Sequence, residues 1–168
     1  PTVYDMAAYP KTLSGKTVTA YVNTHTDLSD ELYREGKLVS DNYKNILRSQ
    51  TNAAAIPAEV TVRYGVTVRR ANLRNLPTGE GLFFYASDRN FDALQETALD
   101  PGEAVAILHT STNGYFYYVQ AYNYRGWLSK FDVAETDRST WLRYAEPNNF
   151  LTVVAKDYTL KADGAQVL

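Results

Sequence analysis

The sequence has 168 residues, a formal net charge of −2 and no cysteine. This length suits one large domain or two small ones and buries roughly 70% of the unfolded chain's surface, so folding needs neither disulfides nor a metal. The missing cysteine excludes thiol nucleophiles and thiolate metal sites, the charge argues against nucleic acid as a partner, and no apolar run is long enough to predict a membrane span.

Residues 1–58 are predicted to form a short helical region. Ser14 and Ser40 each stand at the N-cap position of a segment with helical spacing of apolar residues, and Ser29 opens a third candidate with Asp30 and Glu31 in its first turn. Each candidate helix is shorter than the ~12–15 residues that an isolated helix needs. We therefore expect these helices to pack on the rest of the chain.

Residues 59–147 are predicted to form a small antiparallel β-barrel. From Glu59 to Arg69 apolar and polar residues alternate, which predicts a half-buried strand, and the phase changes near Arg70, which predicts a bulge or corner. Short strands joined by tight turns at this spacing are typical of such a barrel. Further strands are predicted at 104–109 and 115–122, with turns at 77–81, 99–103, 112–114 and 123–126.

The connection over residues 82–98 is long for a compact domain and is rich in aromatic and acidic residues. Connections of this length without secondary structure are uncommon and are often functional. We therefore expect a role in binding for this part of the chain.

Residues 148–168 are predicted to be the incomplete start of another domain, or an added hairpin. The segment has two short strand patterns, Leu151–Ala155 and Tyr158–Leu160, which are too few to form a core of their own. An unfinished sheet edge favours pairing, so we expect these strands to dock on the barrel or to form a dimer by exchange between chains.

The predicted strand at 115–122 carries a second candidate site. Its odd-numbered residues form a sensible core face, whereas Phe116, Tyr118 and Tyr122 make the even face unusually aromatic. Exposed aromatic residues in a row indicate a ligand groove or a domain-docking surface. The alternative is that the N-terminal helices cover this face.

Several segments resemble a known family. The sequence is similar to the first bacterial SH3 domain (SH3b1) of NlpC-type murein peptidases, which are γ-D-glutamyl-L-diamino-acid endopeptidases that cut peptidoglycan stem peptides. The segments that carry this resemblance are Arg63–Thr78, Gln95–Glu103, Leu108–Ser111 and Tyr122–Leu128. Tyr9–Lys16 resembles the stabilising segment that precedes this domain, and Phe150–Leu168 resembles the first strands of a second SH3b domain.

The resemblance also implies roles for individual residues. Gly126 and Trp127 match the Gly-Trp signature of SH3b domains and are expected to be structural. In this family the first SH3b domain lies against the catalytic domain and can place an aromatic side chain at the substrate cleft. Tyr85, Asp88 and Asp92 are therefore candidates to contact a stem peptide, with the carboxylates pairing with its free amine.

The family's catalytic triad cannot be placed on this chain. That triad is Cys-His-polar, and the sequence contains no cysteine and only two histidines, His25 and His109. We therefore expect no catalytic residue, no metal and no cofactor. The sequence starts at Pro1 rather than Met, which favours a processed or excised piece of a larger protein.

The expected function is that of a non-catalytic module that binds or positions the cell wall, as an accessory part of a stem-peptide endopeptidase. Its partners would be peptidoglycan peptides or the catalytic domain of a murein peptidase, in the bacterial cell envelope or outside the cell, with a cytoplasmic location left open. Two alternatives stay open as well. The chain could be an adaptor that binds proline-rich peptides in an SH3-like groove, or a purely structural fragment of a larger hydrolase.

Overall fold

The computed structural model describes residues 3–25, 27–148 and Val154, together with the backbone of Leu160–Ala162 and Ala165–Val167. The helices of this part of the chain are α1 (Gly15–Val22), α2 (Asp41–Gln50) and α3 (Arg138–Ala145). The first strands are β1 (Thr12–Ser14), β2 (Tyr33–Arg34), β3 (Lys37–Leu38), β4 (Glu59–Thr61), β5 (Arg63–Thr67) and β6 (Ala71–Arg74). The others are β7 (Gln95–Leu99), β8 (Ala104–Thr110), β9 (Phe116–Gln120), β10 (Arg125–Ser129), β11 (Val133–Thr136), β12 (Leu160–Ala162) and β13 (Ala165–Val167).

One antiparallel sheet of seven strands dominates the fold. Its order is β11-β5-β8-β9-β10-β6-β7, so that β9 and β10 lie near its middle. The prediction of a mainly β fold is confirmed. Strand pairing among the described residues leaves β11 and β7 as the two edges, so the expected barrel is not closed by a continuous ladder of hydrogen bonds.

The strand predicted from Glu59 to Arg69 is divided between two sheets. At Val62 the chain leaves β4, which pairs with β1, and enters β5, which pairs with β8 and β11. The amide of Val62 donates to the carbonyl of Lys11 at 2.9 Å, outside the main sheet. The alternation of apolar residues runs through this division because Val60 and Val62 are both buried.

Two of the three predicted N-caps are confirmed. The hydroxyl of Ser14 accepts a hydrogen bond from the amide of Thr17 and starts α1, and the hydroxyl of Ser40 accepts one from the amide of Tyr43 and starts α2. Each side chain satisfies one of the amides that a helix start leaves without a partner.

The helix predicted after Ser29 is wrong. This part of the chain forms a hairpin of β2 and β3, in which Glu35 and Gly36 have positive φ angles of 51° and 80°. Two successive residues of left-handed conformation reverse the chain and cannot continue a right-handed helix.

The N-terminal region and the main sheet share one hydrophobic core. Val18 and Val22 of α1 pack in the same buried cluster as Trp127 of β10 and Trp141 of α3. The indole of Trp141 donates to the carbonyl of Val105 at 3.1 Å, which fixes α3 against β8. The other buried members of this cluster are Met6, Tyr9, Val60, Val62, Val66, Ala104, Ala106, Leu108 and Tyr118.

Two further clusters complete the interior. The second contains buried residues of both β8 and β9, among them Val105, Ile107 and Val119. The third joins Leu47 of α2 to apolar residues of the connection between β6 and β7. Its other buried members are Leu28, Leu32, Val39, Leu76, Leu82 and Leu94.

The C-terminal predictions lie mostly outside the described residues. The backbone of β12 and β13 forms an antiparallel hairpin with Leu160 opposite Val167. The predicted strand Leu151–Ala155, and docking or dimer formation through this segment, stay predictions.

Candidate functional site

The six residues predicted to bind a ligand lie in two parts of the fold. Three of them lie on the β6–β7 loop, residues 75–94: Tyr85, Asp88 and Asp92. The other three lie in β9 or directly after it: Phe116, Tyr118 and Tyr122.

The base of the β6–β7 loop is held by a buried ion pair. Arg74, the last residue of β6, pairs with Asp92 at 2.7 Å, and their side chains are only 6% and 16% exposed. Arg74 also donates to the carbonyl of Glu80 at 2.7 Å. One oxygen of Asp92, Oδ1, accepts from the amides of Leu82 at 3.1 Å and Leu94 at 3.0 Å.

These contacts change the role predicted for Asp92. Both of its carboxylate oxygens already have partners within the chain, so this group is not free to pair with the amine of a ligand. Charge-assisted hydrogen bonds of this kind are strong and directional. Asp92 therefore closes the loop, and we assign it a structural role.

The wall of the loop rests on the N-terminal region. The backbones of Tyr33 and Phe83 exchange two hydrogen bonds, of 2.7 and 2.9 Å, as an isolated antiparallel bridge. Glu80 pairs with Arg34 at 2.8 Å and also accepts a hydrogen bond from the hydroxyl of Tyr43. The β2–β3 hairpin and α2 thus support the loop from one side.

The tip of the loop, residues 84–91, presents aromatic side chains to solvent. Tyr85 is 72% exposed, Phe91 is 78% exposed and Phe84 is 49% exposed. Large apolar side chains that are exposed close together in sequence are candidates for an interaction site. Of these three residues, only Tyr85 is predicted from the sequence to bind a ligand. The exposure of Phe84 and Phe91 depends on the path of the backbone through the tip.

Asp88 organises the tip. Its Oδ1 accepts hydrogen bonds from the amides of Asn90 at 2.8 Å and Phe91 at 3.4 Å, which turns the chain between the exposed aromatics. These backbone hydrogen bonds, with that of Asn90 the strongest, lower the pKa of Asp88 below its ordinary value. The carboxylate is therefore ionised at neutral pH, and with the neighbouring Arg89 the tip carries one charge of each sign.

The even face of β9 is covered. Tyr118 is buried, and its hydroxyl donates to the carbonyl of Tyr21 at the end of α1, at 2.8 Å. Burial raises the pKa of Tyr118 well above its ordinary value. Phe116 is half-buried against the same cluster as α1. The structure therefore agrees with the second interpretation of this face, in which the N-terminal helical region covers it.

Tyr122 lies apart from the other predicted residues. It is 49% exposed and lines a shallow cavity of about 250 Å³ together with Met6 and Tyr144. Tyr118 lines a different cavity, and neither cavity includes Tyr85 or Asp88. The structure therefore does not gather the six predicted residues into one site.

The Gly-Trp pair lies where β10 pairs with β6, with Trp127 opposite Arg74. Trp127 is fully buried, with its ring 5.2 Å from that of Tyr118 and at a steep angle to it. A Cβ on Gly126 would lie 2.6 Å from the carbonyl oxygen of Arg74. Gly126 thus allows β10 to approach the strand that carries the buried ion pair.

No group of three or more histidine, aspartate or glutamate side chains suited to a metal ion occurs in the part of the chain that the structure describes. Over the same residues, no helix has the length and apolar character needed to cross a membrane.

Comparison with known proteins identifies the type of domain that contains these residues. Residues 82–129, from the β6–β7 loop to the end of β10, match the family model of an SH3 domain of the SH3b1 type. The matched residues include all six predicted to bind a ligand, as well as Gly126 and Trp127. No curated protein matches the chain.

The fold is also similar to that of a solved NlpC/P60 endopeptidase from Photobacterium damselae subsp. piscicida. The TM-score is 0.59 at 21% sequence identity, and the match covers 75% of this chain and 29% of that one. The chain therefore spans less than a third of the length of that endopeptidase.

The match places an SH3 domain in this part of the chain. More specifically, residues 82–129 carry an SH3 domain of the SH3b1 type, within a fold that an NlpC/P60 endopeptidase shares. The family predicted for this domain is confirmed.

Proposed function

We propose that this chain is a non-catalytic module that binds the bacterial cell wall and positions it for a peptidoglycan endopeptidase. One observation carries this proposal: an SH3b1 domain presents three exposed aromatic side chains on a loop with a rigid base. Rigid support of exposed aromatics reduces the entropy that is lost on binding.

The chemistry of the loop tip fits a peptide partner. Tyr85 and Phe91 offer large apolar faces, and the ionised carboxylate of Asp88 lies between them in sequence and can attract an ammonium group. Stem peptides of peptidoglycan carry both methyl groups and free amines. The catalytic domain of an NlpC/P60 endopeptidase is the second candidate partner for the same surface.

Calorimetry with the whole chain tests this proposal. Soluble muropeptides and an isolated NlpC/P60 catalytic domain are titrated separately into the wild type and into Tyr85→Ala/Phe91→Ala. Because buried aromatic anchors contribute about 2 kcal/mol or more each to an interface, the double variant should weaken binding by a factor of ten or more. Phe131→Ala is the matched control, since Phe131 is 61% exposed but lies outside the loop.

The remaining outcomes separate the alternatives. If neither partner binds the wild type, the proposal is wrong. Binding of proline-rich peptides instead would indicate an adaptor that uses an SH3-like groove. Equal losses in the double variant and in Phe131→Ala would show that the loop tip is not the binding surface.

A further inference from the structure

A polar cleft away from the loop tip has unused binding groups. It has a volume of about 270 Å³ and lies between the N-terminal segment, the end of α1 and the β9–β10 hairpin. Tyr4, His25, Glu96, Gln120 and Arg125 are among its lining residues. The volume is close to the lower end of the range for small-molecule sites.

Gln120 is a buried lining residue of this cleft. The residue is 1% exposed, and its Nε2 donates to the carbonyls of Ala121 at 2.6 Å and Tyr124 at 3.1 Å. Because both partners are acceptors, the orientation of the amide is fixed. Within the described ranges Oε1 then has no donor, and buried acceptors in native proteins are seldom left unpaired.

Arg125 contributes a cation that is held in place by aromatic residues. Its guanidinium donates to the hydroxyl of Tyr4 at 2.7 Å and lies 3.6 Å from the centre of the ring of Tyr21. Among the residues with described side chains, no carboxylate pairs with it. An arginine that is fixed by rings and lacks a carboxylate partner is well suited to bind an external carboxylate.

Glu96 supplies the opposite charge. This residue of β7 is exposed and lines the same cleft, yet it does not pair with Arg125 or with any other cation whose side chain the structure describes. The cleft thus contains one fixed cation and one carboxylate, each with capacity for a further partner, beside a buried amide whose Oε1 is closed to solvent.

We propose that this cleft binds a small zwitterion, either an α-amino acid or a dipeptide. The carboxylate of the ligand pairs with Arg125, and its ammonium donates to Glu96. This inference goes beyond the proposed function and does not depend on the loop tip, because the two surfaces share no residue.

An NMR titration of the whole ¹⁵N-labelled chain with three dipeptides tests the proposal. The probes are L-alanyl-L-alanine, its N-acetyl form, which lacks the ammonium, and its C-terminal amide, which lacks the carboxylate. We expect the free dipeptide to shift the amides of Gln120 and Arg125, and each blocked form to bind at least about tenfold more weakly, since each loses a charge-assisted contact.

One substitution locates the ammonium contact. Glu96→Gln should weaken binding of the free dipeptide about tenfold and remove the difference between the free and N-acetyl forms. Glu31→Gln, at an exposed carboxylate outside the cleft, is the control and should leave binding unchanged.

Three results would overturn the proposal. One is a titration in which no cleft amide moves, which would mean that water alone occupies the site. Another is equal binding of the free and blocked dipeptides. The third is a set of shifts confined to residues 84–91, which would assign the dipeptide to the loop tip.

Discussion

At the scale of single residues, the ion pair of Arg74 and Asp92 controls the shape of the β6–β7 loop. The pair has little access to solvent, and its carboxylate also accepts hydrogen bonds from two backbone amides of the loop, those of Leu82 and Leu94. Removal of one member of a buried pair leaves an uncompensated charge, which costs more than the pair itself contributes.

Asp92→Asn should therefore lower the free energy of unfolding by about 3–5 kcal/mol. The amide oxygen of Asn can still accept from Leu82 and Leu94, so the loss reports the charge on Arg74. Urea unfolding gives the measurement. Asp100→Asn is the matched control. Asp100 pairs with Arg70 at 2.7 Å, but both side chains are about 70% exposed. This substitution should therefore lower the free energy of unfolding by less than about 1 kcal/mol. Equal losses in the two variants would contradict a buried, structural pair.

Gly126 gives a second prediction at this scale. A methyl group there would meet the carbonyl oxygen of Arg74 at 2.6 Å, and backbone cannot move aside as a side chain can. Gly126→Ala should destabilise the fold by about 1–3 kcal/mol in thermal or urea unfolding. Gly79→Ala is the control, since nothing lies within 4 Å of the added methyl. A neutral Gly126→Ala would show that β10 and β6 can separate without loss.

At the scale of elements, α3 depends on its first turn. Asp137 caps this helix and accepts hydrogen bonds from the hydroxyl of Ser139 and from the amide and hydroxyl of Thr140. These contacts hold the pKa of Asp137 far below its ordinary value. Since α3 places Trp141 in the main core, the charge of this cap is linked to the stability of the domain.

The direction of this pKa shift predicts how the stability of the folded state changes in acid. A carboxyl whose pKa is lower in the folded state stabilises that state above its ordinary pKa of about 3.9, and this contribution is lost as the pH falls below that value. The urea midpoint should fall between about pH 5 and about pH 2 more steeply for the wild type than for Asp137→Asn, because Asn also caps helices but does not titrate. Asp30→Asn, at an exposed carboxylate that caps no helix, should keep the slope of the wild type. Identical slopes for wild type and Asp137→Asn would exclude this role.

At the scale of the whole molecule, the N-terminal region and the sheet are one folding unit. Val22 of α1 packs in the cluster that holds Trp127 and Trp141, and the Tyr33–Phe83 bridge ties the β2–β3 hairpin to the SH3b1 domain. The described residues of the N-terminal region therefore contribute to the same core as the sheet.

A single unfolding transition is the expected result. Tryptophan fluorescence, which reports Trp127 and Trp141, and far-ultraviolet circular dichroism should give the same urea midpoint. Val22→Ala should lower both midpoints together, by about 2 kcal/mol in free energy, because it leaves a cavity between α1 and the sheet. Loss of helical signal before the fluorescence change would contradict a shared core.

Local signals made part of this structure predictable from sequence. The caps at Ser14 and Ser40 depend only on a few neighbouring residues, so the local sequence is enough to predict them. The segment after Ser29 also has a cap residue, but the left-handed turn at Glu35–Gly36 and the burial of Leu32 and Val39 outweigh it. Local propensity is a weak prior when tertiary packing opposes it.

The candidate site was harder to predict, because it depends on contacts distant in sequence. Arg74 and Asp92 are both charged residues among many, and nothing local indicates that they form a buried pair. The alternation in β9 correctly separated two faces, but whether Tyr118 is exposed depends on α1, which lies about a hundred residues away. The exposure of Tyr85, on a long polar connection, follows from the sequence more directly.

The closure of the β6–β7 loop also bears on how such a domain can diversify. The carboxylate of Asp92 accepts hydrogen bonds from the amides of both Leu82 and Leu94. The chain between these two residues therefore starts and ends at positions that are held close together. Residues 84–91 can then be exchanged or lengthened with little effect on the core, since the entropy of a longer loop grows only slowly with its length. A chain that keeps Arg74 and Asp92 can thus acquire a new binding specificity by changes in residues 84–91, while the sheet and its core stay the same.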